Sequence, residues 1–426
     1  MIFLSLAPNG VPENKIMFAL LIFAIGGPFH HLNTTLGNFI MIIGVFYFLY
    51  TLITYKKEQK GFYSYSFIYT LLVVYILIIT LRMFLADGKN SFWGINASAT
   101  MRTLFLQMEF IPNLLPLSLL LFRNNKALDI RYYLKISKIL LVLFLCFSPL
   151  AIHHMLNYDW SGRIHSMAGE EWGDEGTYGD FIMNSSLSLS SLAPPIIMVY
   201  FSRYQKRMLW CFYLLSSLIV LFIYIYTARR GGIALEIVYL TTCFFLYLMQ
   251  SKGKKYSYIL FLFIVGYLLY SIYLSIDEAF FSLVMERGVE DTRSGVEDNF
   301  YKDMDPLSWL IGKSWFGSYY DPLFMKYRTS IETGYLAFIL RGGILYLALY
   351  LLVLIPSAIT GYFKSNNILV KSFALMILLH IVELYPFGWP DFTMKYFTVW
   401  IGVYVCRMQY YRKLTDKEIF KLYFKE

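Results

Sequence analysis

Long apolar runs recur along the whole chain, and they constrain its fold more than any other feature of the sequence. They are about 18–24 residues long, which is the length that crosses a bilayer as an α-helix. Only 15% of the residues are charged, against about 25% in soluble globular proteins. Transmembrane β-strands alternate polar and apolar residues over about ten positions, and these runs do not. The sequence therefore predicts an all-α polytopic membrane protein.

The apolar runs predict about 12 transmembrane helices within a single integral membrane domain, residues 1–426. The largest connection lies between the ninth and tenth spans. The predicted spans are residues 14–29, 36–54, 64–86, 97–121, 139–156, 181–201, 209–227, 232–250, 257–276, 333–356, 372–388 and 395–406.

The charge of the connections predicts how the helices are oriented. The formal net charge is +9, and the lysines and arginines concentrate in alternate connections and in the tail from Arg407 to Lys425. The positive-inside rule assigns this set, and with it both termini, to the cytoplasm. This distribution accounts for the basic charge, so we expect no nucleic-acid partner. The four cysteines form no CxxC pair, and no metal or other cofactor is expected.

Two long connections lie on the opposite, outer face in this topology. The first, 157–180, is acidic, and the second, 277–332, is rich in aromatic residues and glycine. Long connections are usually functional or disordered. The aromatic content of 277–332 favours an ordered surface suited to carbohydrate, and the alternative is a solvated linker.

Arginines embedded in apolar stretches cluster near the outer face, which indicates a shared polar cavity, because an intramembrane charge is costly. One group lies in the segment 227–232, where Arg229 and Arg230 precede two glycines and a helix. A guanidinium binds phosphate oxygens as a planar fork, so this segment is a candidate pyrophosphate site. The alternative is an interfacial pair that reaches to lipid phosphates. The embedded arginines are Arg82, Arg102, Arg229, Arg230 and Arg341.

A second candidate group surrounds the start of the tenth span. Glu332 lies at the junction of the long loop and this helix, where a carboxylate can act as a general base. The alternative is that Glu332 caps the helix N-terminus. Arg341 falls in the outer half of the span and is expected to face the bundle interior.

Three patches of the sequence resemble the bacterial O-antigen polymerase and ligase superfamily, which includes the Wzy-type polysaccharide polymerases. They are Gly162-Arg163-Ile164-His165, Thr227 to Gly232, and the outer loop from Arg293 through Leu310-Ile311-Gly312 to Glu332-Thr333-Gly334 and Gly342-Gly343. The resemblance extends over nearly the whole chain at the level of topology. Ligases of this fold have a His-Asn pair where this chain reads Ser330-Ile331-Glu332-Thr333, so the ligase activity is the less expected one.

The resemblance implies a glycosyltransferase that polymerises polyprenyl-diphosphate-linked oligosaccharide repeat units, as for O-antigen, capsule or exopolysaccharide. Arginines would hold the pyrophosphate leaving group, and a base, here Glu332, would deprotonate the acceptor hydroxyl. Neither a nucleotide sugar nor a metal is implied. Arg229 or Arg230 and Arg293 match the family's arginines. Arg341 is not part of the resemblance and is included in the substrate-binding set because of its position in the membrane. Arg163 and Arg328, from the other patches, complete the expected substrate-binding set.

The implied location is the bacterial cytoplasmic (inner) membrane, with membrane lipid around the protein. The implied partners are undecaprenyl-diphosphate-linked oligosaccharide, a chain-length regulator and a flippase. Two other functions stay open from the sequence. One is ligation of the glycan to a lipid acceptor, and the other is transport of lipid-linked glycan across the membrane.

Overall fold

The described residues of the computed structural model are mostly helical. They are 12–32, 34–54, 65–85, 110–120, scattered positions from 133 to 153, 207–226, 230–250, 294–322, 325–387, 389–390 and 392–424. The backbone divides into two compact units. The first holds residues 1–27, 35–134 and 292–426, and the second holds 28–34 and 135–291.

The helices in chain order are α1 (Pro12–Leu32), α2 (Thr34–Thr54), α3 (Tyr65–Leu85), a 3₁₀ helix (Ile111–Leu120), α4 (Arg207–Tyr226), α5 (Arg230–Gln250), α6 (Ser294–Asp303), α7 (Pro306–Ile311), α8 (Gly334–Phe363), α9 (Ile368–Phe387), α10 (Met394–Arg407), α11 (Gln409–Lys413) and α12 (Asp416–Phe424). The strands β1 (Tyr319–Asp321) and β2 (Lys326–Arg328) pair antiparallel, with Tyr320 opposite Tyr327.

The described helices support a membrane-embedded helical protein. Three are long and apolar enough to cross a bilayer, namely Thr35–Ile53, Gly334–Phe363 and Ile368–Tyr385, and four shorter apolar helices accompany them. The predicted number of 12 spans stays a prediction, because most of 86–109, 121–206 and 251–293 lies outside the described residues. One span differs in kind: the described end of 97–121 is a 3₁₀ helix with Pro116 inside it. Proline lacks the N–H that an α-helix needs.

Helix α8 is the centre of the first unit and packs against α3, α7, α9 and α10. Near the N-terminus, α1 and α2 approach closely at two glycines. A Cβ on Gly44 would lie 2.9 Å from the backbone nitrogen of Phe23, and one on Gly26 would meet the Met41 side chain. Small residues at such crossings allow the close helix packing that is typical of membrane bundles.

Residues 294–322 and 325–333 form an ordered layer at one end of this bundle, which we call the loop end. Its core is the buried Phe300, Met304, Tyr319 and Ile331, which pack on the first turns of α8. Asp305 caps α7 by accepting the backbone N–H of Ser308, and this hydrogen bond lowers the pKa of its carboxyl group.

The opposite end of the bundle, which we call the tail end, is closed by residues 408–424. The amide of Asn367, which is 1% exposed, donates to the carbonyl oxygens of Tyr411 and Leu414, and its oxygen accepts the N–H of Val370 at the start of α9. Asp416 accepts the N–H of Ile368. The turn between α8 and α9 is therefore tied to the tail by side-chain hydrogen bonds.

In the second unit, α4 and α5 are neighbours joined by residues 227–229. A Cβ on Gly232 would overlap the ring of Tyr224, so this glycine allows α4 and α5 to approach closely. The helix was expected to begin after the glycine pair, and it begins before it, at Arg230.

Replacement of Asn367 by alanine is expected to destabilise the protein by about 2 kcal/mol, because it removes a helix cap and two buried hydrogen bonds. The matched control is Asn366→Ala, since that exposed side chain makes one long hydrogen bond of 3.4 Å to Lys413. Thermal unfolding of the detergent-solubilised variants measures the difference. Equal melting temperatures for the two variants would show that the tail does not hold the α8–α9 turn.

Candidate site at a broken helix

Helix α8 breaks at Gly343, whose backbone has φ 72° and ψ −178°. This region is essentially restricted to glycine. The rings of Phe338 and Tyr350 lie 4.6 Å apart across the break. Twelve residues of straight helix would separate these positions by about 18 Å along the axis. The two halves of α8, residues 334–342 and 344–363, therefore meet at a sharp angle.

The break frees carbonyl groups that a continuous helix would use, and neighbouring segments bind them. The backbone N–H of Lys313 donates to Leu340 O at 2.7 Å, and the Tyr75 hydroxyl donates to Gly342 O at 2.8 Å. Unsatisfied backbone groups are costly inside a bilayer, so these two hydrogen bonds make the break tolerable there.

A second glycine in the same conformation fits against the break. Gly312, directly after α7, has φ 69° and ψ −177°. A Cβ on Gly312 would lie 2.5 Å from the Gly342 nitrogen, and one on Gly343 would collide with the Leu310 carbonyl group. The backbone of α7 is therefore in direct contact with the backbone of α8 where α8 breaks.

Arg341 lies beside this contact and is 5% exposed. Its guanidinium carbon is 4.1 Å from the ring centroid of Trp389 and 5.1 Å from that of Phe110. Trp315 contacts both rings edge-on and donates its indole N–H to Thr80 at 2.9 Å. A cation over desolvated aromatic rings gains about 2 kcal/mol. Aromatic rings thus enclose a cation at the loop end of the bundle.

Glu332 is exposed and immediately precedes Thr333, the N-cap residue of α8. The Thr333 side chain does not bond the helix N-terminus and instead donates to the carboxylate of Glu297 on α6. The capping position therefore belongs to Thr333, and Glu332 lies one residue before it. Glu297 is a residue that the sequence reasoning missed, because only the fold brings α6 to the start of α8.

Arg328 pairs with Asp321 at 3.0 Å across the hairpin, and Asp321 has a side chain that is 0% exposed. Asn299 donates to the other oxygen of the same carboxylate at 3.3 Å. This arrangement holds β1 against α6, so Arg328 has a structural partner whether or not it also meets a ligand.

A further carboxylate at this end of the structure lies within the bundle. Glu383 on α9 pairs with Lys395 on α10 through one oxygen, while its other oxygen is shielded from solvent and receives no hydrogen bond from any described residue. One turn earlier, Nε2 of His380 shares a hydrogen bond of 2.8 Å with the Tyr350 hydroxyl. Among the described residues no three His, Cys, Asp or Glu side chains could hold a metal ion.

Aromatic rings also reach the surface of the loop end. Tyr301 on α6 stacks on Trp309 of α7, with ring centroids 6.0 Å apart and planes 10° from parallel. Tyr301 is 44% exposed and Tyr385 is 60% exposed. Burial and the nearby Glu297 raise the pKa of the Tyr301 phenol, so its hydroxyl stays protonated and can donate a hydrogen bond.

The remaining predicted site residues are not described at the level of side chains. Arg163, Arg229 and Arg293 lie outside the described residues, and for Arg230 only the backbone, at the start of α5, is described. Of the predicted set, the structure therefore places Arg341, Glu332 and Arg328 in the loop end.

Comparison of the chain with protein-family models, with curated proteins and with solved structures finds no match.

Replacement of Gly343 by alanine is expected to destabilise the protein. The strained φ alone costs about 1–3 kcal/mol, and the collision of the new Cβ with Leu310 adds to this cost. The control is Gly295→Ala in α6, where a Cβ meets nothing within 4 Å. That change should be neutral or slightly stabilising in thermal unfolding. A Gly343→Ala variant as stable as the wild type would mean that α8 has no such break.

Proposed function

We propose that this protein is a membrane glycosyltransferase which polymerises polyprenyl-diphosphate-linked oligosaccharide repeat units. The observation that carries the proposal is Arg341, a buried guanidinium within aromatic rings at a helix break. Ionisable residues are costly inside membrane bundles, and they mark the pathways of substrates and ions. The planar fork of arginine suits the paired oxygens of a diphosphate.

We place the route to Arg341 past Trp389, whose ring is the nearest to the guanidinium among the described residues. Trp389 is half-buried and lies in the short connection between α9 and α10. A diphosphate reaches the guanidinium when this ring moves aside. The exchange replaces a cation–π contact with charge-assisted hydrogen bonds, which are the stronger interaction.

The surface of the loop end supports a saccharide as the group attached to the diphosphate. Tyr301 and Tyr385 present flat apolar rings beside Glu297 and Asp298, and Tyr301 is stacked on Trp309. Sugar rings have apolar C–H faces that stack on aromatic rings, and hydroxyl edges that donate to carboxylates. This combination fits an oligosaccharide better than an inorganic ion or a lipid tail.

In the proposed reaction, a carboxylate takes the proton of an acceptor hydroxyl as its oxygen attacks the anomeric carbon of the donor. The bond from that carbon to the diphosphate oxygen breaks, and the polyprenyl diphosphate leaves with the electron pair. Arg341 stabilises the charge on this leaving group. Glu332, exposed at the start of α8, is the proposed base.

The distribution of charge supports placing the loop end outside the cytoplasm. The tail end carries Lys364, Lys371, Arg407, Arg412 and Lys413, which the positive-inside rule assigns to the cytoplasm. We propose the bacterial inner membrane as the location, with a flippase supplying the donor and a chain-length regulator as a partner.

Deletion of the gene from its bacterium is expected to leave single repeat units on the acceptor, and wild-type protein should restore the polysaccharide ladder on gels. Arg341→Lys should fail to restore it, because an ammonium group lacks the planar fork. The matched control is Arg407→Lys, an arginine at the tail end that hydrogen-bonds Ser357. A full-length polymer that stays on the lipid carrier would instead indicate a ligase, and repeat units confined to the inner leaflet would indicate a flippase.

Glu332→Gln is expected to abolish polymerisation with normal protein levels, because glutamine cannot accept the hydroxyl proton. Glu383→Gln is the informative comparison, since the shielded second oxygen of Glu383 receives no hydrogen bond from any described residue. If Glu383 serves only its ion pair, the double variant Glu383→Gln/Lys395→Met should retain activity. Inactivity of that double variant, with an active Glu332→Gln, would move the base from Glu332 to Glu383.

A further inference from the structure

Helix α7 has an apolar outward face that nothing within the described part of the protein covers. Leu307 is 64% exposed and Leu310 is 48% exposed. The neighbouring Trp309 instead packs inward against Phe300. Single exposed leucines are ordinary in soluble proteins. The depth of α7 along the bundle decides what these two side chains meet.

The depth follows from the helix break. The second half of α8, residues 344–363, contains 20 residues, and so does α9. Twenty residues of helix are about 30 Å long, the thickness of the hydrocarbon core. The break at Gly343 and the end of α9 therefore lie about one membrane thickness from the tail end. Contact between Arg341 and Trp389, two residues beyond α9, places both at this same level.

Exposed apolar side chains on two neighbouring helices reach the level of α7. On α3, Leu77 is 55% exposed and Leu81 is 60% exposed, and Arg82 contacts the end of α7. On α8, Ile344 and Leu345, directly after the break, are 47% and 40% exposed. The exposed leucines of α7 therefore continue the apolar surface of the spanning helices.

The backbone at the end of α7 is satisfied in the way that a bilayer requires. The guanidinium of Arg82 donates to Ile311 O at 2.6 Å and to Gly312 O at 2.9 Å. The N–H of Gly312 donates to Ser308 O at 2.8 Å. Water would bind these carbonyl groups if the helix end were in solvent. Internal partners for a helix terminus are needed where water is scarce.

We propose that α7 is an interfacial helix, with Leu307 and Leu310 inserted among the lipid chains at the edge of the bilayer. The apolar face of α7 is therefore covered by membrane lipid rather than by a saccharide or a second copy of the chain. The contact between Gly312 and Gly343 then fixes Arg341 at the depth of the lipid headgroups. A diphosphate attached to a polyprenyl chain lies at that depth. The proposal rests on exposure and backbone contacts and stands independently of the proposed reaction.

Site-directed spin labelling of the full chain in liposomes tests this. Labels are placed singly at Leu307 and Leu310 in a variant whose native cysteines are replaced by alanine. Leu81 on α3 is the lipid-facing reference, and Ser330, an exposed residue of the loop end, is the aqueous reference. Frequent collision of a spin label with oxygen indicates that the label lies in lipid. Frequent collision with a water-soluble nickel chelate indicates that it lies in solvent.

The expected result is that labels at Leu307 and Leu310 behave like Leu81, with high oxygen and low nickel accessibility. Labels that behave like Ser330 would overturn the proposal in favour of a solvent-exposed surface. Labels shielded from both reagents would overturn it in favour of a protein partner, including a second copy.

Leu310→Asp should reduce the amount of folded protein in the membrane several-fold relative to Met325→Asp, a substitution at an 82% exposed loop position. Equal yields would also contradict insertion.

Discussion

The contact between the backbone of Gly312 and that of Gly343 is the interaction on which the rest of the loop end depends. It exists because both residues adopt a conformation that is essentially restricted to glycine. The break of α8 at Gly343 leaves carbonyl groups without helical partners. Helix α3 and the segment after α7 supply those partners. A membrane protein tolerates irregular backbone only where such partners exist. The break and the position of α7 are therefore one structural feature.

The position of the charged groups follows from this feature. Arg341 lies two residues before the break, so its guanidinium meets the ring of Phe110, directly before the 3₁₀ helix, and the ring of Trp389, in the connection after α9. The first half of α8 carries Thr333 at its start and joins α6 through Glu297. A buried cation, surface aromatic rings and carboxylates are thereby gathered at one end of the bundle. The opposite end is basic and tied by Asn367 to the tail. This asymmetry is the physical basis of the proposed function.

The sequence predicts some parts of this structure well and others poorly. Apolar runs locate helices to within a few residues, as for α2, predicted at 36–54 and observed at Thr34–Thr54. The same reasoning treats 333–356 as one span and misses the break at Gly343, because the hydropathy of a glycine does not indicate its backbone conformation. It also extends an α-helix through Pro116. Arg341 was predicted to face the interior, and it does, yet its partners Phe110 and Trp389 are distant in sequence and only the fold reveals them.

The proposed function depends above all on binding of the diphosphate of a lipid-linked glycan by Arg341. Native mass spectrometry of the purified protein with undecaprenyl diphosphate measures this binding without turnover. We expect the wild-type protein to retain undecaprenyl diphosphate in preference to undecaprenyl monophosphate, and Arg341→Gln to lose this preference while it stays folded. Equal retention of both lipids by the wild-type protein, or an unchanged preference in Arg341→Gln, would show that Arg341 does not bind the diphosphate.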